Sequence, residues 1–179
     1  SKLGAYLDKA IATASELGLD GFAFTGNPLY SGTDEELAAQ KEKARLIVSK
    51  LSAATGEDQL LVFEGDPTFV DAADREKLDY IVLNTADLTN ITDLKLLVTG
   101  ILADGTAPKD KLILSATMGE QIIDGNNAKQ DAVPIVTDYV VSLGPLGGLG
   151  IYSISNDYYN PQMNYETTRT AIQQMNPAQ

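Results

Sequence analysis

Four short stretches gather carboxylates, amides and tyrosines: Asn27 and Tyr30 after "GFAFTG", Glu64 and Asp66 in "FEGDP", Asn84 and Asp87 in "LNTAD", and Asn156, Asp157, Tyr158 and Tyr159 in "SNDYYN". Two nearby carboxylates push their pKa values apart, so Glu64 and Asp66 can serve as an acid and base pair. Amides and hydroxyls hydrogen-bond sugar hydroxyls, and a tyrosine ring offers an apolar face to a pyranose. Together these residue types suit a sugar. Each also has a plainer duty. Asn27 precedes Pro28 in a turn sequence, Asp66 can cap a following helix with Glu64 solvated or paired, and the two tyrosines can clamp a closing loop.

Composition narrows the chemistry. The 179 residues include no cysteine and no histidine, which removes thiolate nucleophiles, disulfides, zinc-thiolate sites and the usual neutral-pH base. The formal charge of -12 sets an unfavourable field for a nucleic-acid backbone or an anionic membrane, so neutral ligands fit better. No apolar run reaches the roughly 18 residues of a membrane span, and no membrane insertion is expected. "IIDGNNAKQD" resembles a calcium loop only loosely and reads as an Asp-Gly turn, so neither a metal nor a cofactor is expected. Ser1 opens directly into a helical pattern with no signal peptide, as a cut or processed end does.

The elements that must position these side chains follow a regular beat. A helix ends at Gly18, then "GFAFTG" is strand-like, residues 34–55 helical, "QLLVFEGDP" a strand, "TFVDAADREK" a helix and "LDYIVLNTAD" a strand. After these come the helix "ITDLKLLVTGILAD", the strand "KLILSATMG", a helix over 130–144, the strand "GLGIYSIS" and a helix over 165–174. Residues 34–43 read as a solvated helix face, with Glu42 and Arg45 three residues apart. Short apolar strands separated by helices predict an α/β fold with a parallel sheet and right-handed crossovers. Two architectures accommodate five such strands: an open, doubly wound five-stranded parallel sheet, or part of a (β/α)8 TIM barrel. Either places ligands at the strand carboxyl ends, residues 25–30, 64–66, 84–87, 117–120 and 155–159.

The stretch "DGFAFTGN", residues 20–27, resembles the fourth-strand signature of glycoside hydrolase family 18, Asp-Gly-x-Asp-x-Asp-x-Glu. That family contains chitinases and endo-β-N-acetylglucosaminidases. Asp20, Gly21, Phe22 and Phe24 match, whereas Ala23 and Thr25 replace the two later aspartates and Asn27 replaces the glutamate. "LDYIVLNTAD" is similar to the sixth strand, with Ala86 for its tyrosine and Asp87 for its aspartate. "KLILSATMG" is similar to the seventh, and "GLGIYSISND" to the eighth, with Ile154 for the tryptophan and Asp157 for the aspartate. The resemblance implies that residues 1–179 form one (β/α) domain, the C-terminal part of a TIM barrel covering about strands four to eight.

In that family the glutamate protonates the departing oxygen while the substrate's acetamido carbonyl attacks the anomeric carbon. Asn27 has no titratable proton and Thr25 no negative charge. The resemblance therefore implies a catalytically silent domain that binds glycan, with N-acetylglucosamine as a component, on the outside of a bacterium. Two alternatives stay open: a hydrolase using relocated carboxylates such as Glu64, Asp66, Asp87 or Asp157, and a structural or assembly domain. In the second the missing N-terminal barrel half, or another chain, completes the barrel.

Overall fold

A computed structural model describes residues 2–26, 32–85, 87–159 and 164–177. The chain forms two compact units, Ser1–Ile81 and Val82–Gln179.

The first unit runs α1 (Lys2–Leu17), β1 (Gly21–Thr25), α2 (Asp34–Ala54), β2 (Leu60–Glu64), a 3-10 turn (Pro67–Phe69) and α3 (Ala72–Arg75) into β3 (Tyr80–Val82). Gly18, at φ 62°, ends α1, with the Leu19 amide closing back onto the Ala14 carbonyl at 3.0 Å. Thr33 and Glu36 form a reciprocal capping box that starts α2. Its inner stripe of Ala44, Val48 and Leu51 is buried, and Arg45 on the outer side pairs with Glu42 at 3.0 Å and with Asp71 at 2.7 Å. β1 and β2 pair in parallel, Ala23 opposite Val62 and Thr25 opposite Glu64. Side chains alternate along a strand, so Phe24 shares a face with Phe63, their ring centroids 5.0 Å apart, while Ala23 and Thr25 point the other way. Gly21 admits no side chain, because a Cβ there would meet the Leu60 carbonyl oxygen at 2.0 Å.

The second unit continues with α4 (Ile91–Ala103), β4 (Leu112–Thr117), β5 (Gln121–Ile123), β6 (Lys129–Asp131), α5 (Ala132–Leu143), β7 (Gly148–Tyr152), α6 (Ser155–Tyr158) and α7 (Glu166–Met175). Leu112, Leu114 and Ala116 of β4 are buried, as are Leu94, Val98 and Ile101 of α4 and Val133, Val136 and Val140 of α5. The helical residues recur at three- and four-residue steps, one apolar stripe on each helix. β4 and β7 pair in parallel, Ser115 opposite Gly150 and Thr117 opposite Tyr152.

One parallel sheet of five strands results, in the order β1-β2-β3-β4-β7, and β5 and β6 form a separate antiparallel pair. Four sequence expectations are corrected. The "DGNN" turn closes a β-hairpin, so the described residues hold seven strands rather than five. The fifth helix starts at Ala132 rather than Gln130, because Gln130 and Asp131 pair with Ile122 and Gln121. "TFVDAADREK" does not make one helix: Val70 and Asp71 are extended, leaving a single 3-10 turn and the four residues of α3. The last strand stops at Tyr152, since Ser153 takes φ 55°, outside the β region.

Beyond Val82 the Leu83 amide donates to the Ile113 carbonyl at 2.8 Å, and side chains then lock the chain to β4. The Ser115 hydroxyl donates to the Leu83 carbonyl at 3.1 Å and accepts the Thr85 amide at 2.9 Å, and the Thr85 hydroxyl donates to the Ser115 carbonyl at 2.7 Å. Both residues are buried, so Ser115→Ala strips a buried amide of its acceptor. It is expected to lower unfolding free energy by about 1–2 kcal/mol in urea melts. A change within about 0.3 kcal/mol, the scatter of such values, would mean that the pair holds nothing.

Candidate functional site at the strand carboxyl ends

In the first unit, alternation carries Ala23 and Thr25 onto the face of β1 away from the Phe24–Phe63 contact, and both are solvent-exposed. Register places Thr25 beside half-buried Glu64 at the carboxyl ends of their strands, and the Gly26 amide extends the pairing by donating to the Glu64 carbonyl at 2.8 Å. Asp20 stands at the other end of β1, where its carbonyl accepts the Leu60 amide at 2.9 Å. Asp66 is engaged in the turn that follows β2. Its Oδ1 accepts the Thr68 amide at 2.9 Å and the Thr68 hydroxyl at 2.7 Å, capping the 3-10 turn. Asn27 and Tyr30 lie outside the described residues.

In the second unit Asn84 is half-buried and Asp87 exposed at the end of β3, and the β4 and β7 tips are joined where the Met118 amide donates to the Tyr152 carbonyl at 3.0 Å. The Asn156 amide nitrogen donates to the Met118 carbonyl at 3.0 Å, which fixes that side chain across both tips. Asp157, only 2% exposed, faces inward and accepts the Thr167 amide at 3.2 Å and the Thr168 amide at 2.8 Å. Burial pushes its carboxyl up, but the hydrogen bonds from Thr168 and Thr167 outweigh burial and hold it below the ordinary carboxylate value. Asp157 therefore caps α7, whose own N-cap residue, Tyr165, supplies no side-chain bond. Tyr158 packs between Tyr159 and Tyr165, at centroid distances of 5.3 and 5.1 Å, whereas Tyr159 leaves 74% of its surface to solvent. Of the two rings, Tyr159 is the one with a free face.

The sequence reading missed Asp131 and the hairpin that delivers it. The available signal was the turn sequence "DGNN" between two short runs able to pair, "QII" and "KQD".

Neither a sequence-family model nor a curated protein matches the chain by sequence. Solved structures do match. The protein BT1044 superposes with a TM-score of 0.71 at 16% identity, covering 98% of this chain and 59% of the other. An endo-beta-N-acetylglucosaminidase from Cordyceps militaris gives 0.67 at 16% identity, covering 98% and 63%. The GH18 chitinase ChiB of Flavobacterium johnsoniae gives 0.64 at 12% identity, covering 93% and 64%.

The fold is that of part of a family 18 barrel. This chain spans about three fifths of the length of those structures, and the open doubly wound sheet gives way to a partial barrel. In a barrel of this type the carboxyl ends of the strands carry the chemistry. Thr25, Glu64, Asn84, Asp87 and Asn156 all lie at or just past such ends. Asp157 caps a helix and Asp66 a 3-10 turn.

Proposed function

We propose that this chain is a family 18-type barrel segment that binds a glycan containing N-acetylglucosamine and does not hydrolyse it, acting outside a bacterial cell. The observation carrying this reading is the face of β1: alternation brings Ala23 and Thr25 to the positions where, by the resemblance, the family keeps aspartates. Without those carboxylates nothing orients the acetamido group or stabilises its developing charge, and an amide at 27 has no proton to give. Hydroxyl and amide groups still hydrogen-bond sugars, so recognition outlasts catalysis. The glycan class is supported by the company the fold keeps, since a Cordyceps militaris relative of the fold was solved in complex with fucosyl-N-acetylglucosamine-Asn.

The test joins two measurements on one preparation. Calorimetric titration with N,N′-diacetylchitobiose and with an N-glycopeptide is expected to give heats of binding, and mass spectrometry of the same mixtures after long incubation is expected to find the glycans intact. Cleavage products would overturn the silent reading; absence of binding to either ligand would overturn the glycan reading.

One observation favours a second reading. Glu64 sits directly across from Thr25 at the same end of the β1–β2 pair, a position for a displaced acid. If cleavage is found, Glu64→Gln is expected to lower it by about 10²- to 10⁴-fold when Glu64 is the acid. An unchanged rate would exclude this residue.

A further inference from the structure

We infer that the second unit carries its own small sugar subsite, in the cleft where the β4 and β7 tips meet the start of α5. The inference rests on the glycan-binding reading above and adds a place for one sugar residue built without any residue of the first unit. The cleft encloses about 230 Å³ and is lined by Met118, Asp131, Val133, Pro134, Asn156 and Tyr159, among others. That volume lies below the roughly 300–1,000 Å³ of sites for drug-sized ligands, which fits a single ring rather than a long oligosaccharide.

Its lining mixes apolar and polar groups, as a pyranose does. Met118, Val133 and Pro134 bring apolar surface to the lining, and the exposed ring of Tyr159 offers a flat face to the C–H side of a sugar. Asn156 is pre-oriented, because one amide hydrogen is held by the Met118 carbonyl, and its oxygen and second hydrogen can then accept from and donate to neighbouring hydroxyls. Asp131 stands at the N-cap of α5 but makes no capping bond, so its carboxylate is available to accept a sugar hydroxyl. The same carboxylate, with Asp157 also in the lining, disfavours an anion. A neutral polyol with one apolar face satisfies all of these groups.

The subsite is tested by NMR titration of the isotopically labelled chain with N,N′-diacetylchitobiose, alongside Asp131→Ala and Tyr159→Ala. Both variants alter exposed side chains and are expected to keep the amide spectrum of the folded chain. The inference expects shifts centred on the Asn156 side-chain amide and the backbone of 131–133 and 159, with about tenfold weaker binding in each variant. Binding that survives both substitutions unchanged, with shifts centred on Thr25 and Glu64, overturns the subsite and leaves the glycan reading standing. No shift anywhere, even at millimolar sugar, overturns both.

Discussion

A variant carrying Ala23→Asp, Thr25→Asp and Asn27→Glu is expected to release product from a chitobiose glycoside on which the unsubstituted chain shows no turnover. The three changes restore, by the resemblance, an acid able to protonate the leaving oxygen and the negative charge that orients the acetamido group. A positioned general acid contributes about 10²- to 10⁴-fold, so Asn27→Glu alone is expected to give a small part of the gain and the triple variant most of it. Ala23 and Thr25 are exposed on one face of β1, so the new side chains meet no packed core. The register adds a detail that can be checked. An aspartate introduced at position 25 stands beside Glu64, and like charges at that spacing raise the pKa of one of the two. Adding Glu64→Gln is therefore expected to extend activity toward lower pH, where the introduced aspartate stays ionised. A folded, sugar-binding triple variant with no turnover would show that the β1 carboxylates are not what the site lacks.

The second large effect concerns stability. Asp157→Ala removes a buried carboxylate that accepts two backbone amides of α7 and leaves both donors without it. Hydrogen bonds to a charged acceptor contribute about 1.5–3 kcal/mol, and a lost helix cap costs about 0.5–2. The expected loss is about 2–4 kcal/mol at neutral pH, with Asp157→Asn retaining part of it through its amide oxygen. Because the folded carboxyl lies below its ordinary value of 3.8, the contribution is complete above that pH and is lost as pH falls through the lowered folded value. Urea melts at pH 7, 5 and 3 should show a constant gap between the native chain and Asp157→Ala at the first two, narrowing at the third. A gap independent of pH would mean that the charge on Asp157 is not what holds α7.

The alternation of strands and helices was legible because buried strands and amphipathic helices write different periods into the sequence. β4 reads as an apolar run and α5 as Val133, Val136 and Val140. The hairpin was not legible for the same reason reversed: all three residues of β6, Lys129, Gln130 and Asp131, are exposed, so no apolar period marks them. At the site, Thr25 and Glu64 end their strands, while Asn84, Asp87 and Asn156 follow theirs, because tip position follows from element order. The duties of Asp66 and Asp157 were partly hidden. A carboxylate at a strand tip has the same sequence signature whether it meets ligand or a backbone amide. Asp66 reads as a cap because a helical pattern follows it. Asp157 was read as a ligand group because the helix it caps begins nine residues later.

The hairpin has a further consequence. Its tip closes on itself, as Asp124 Oδ1 accepts the Asn126 and Ala128 amides and the Asp124 amide donates to the Ala128 carbonyl. Its base is fastened separately: Ile122 is buried, the Ile123 amide donates to the Thr89 carbonyl and the Ala132 amide to the Glu120 carbonyl. None of these base contacts uses a side chain of residues 124–128. The rim is thus a socket whose insert is expected to accept substitution or grafting wherever the new turn still closes the β5–β6 pair.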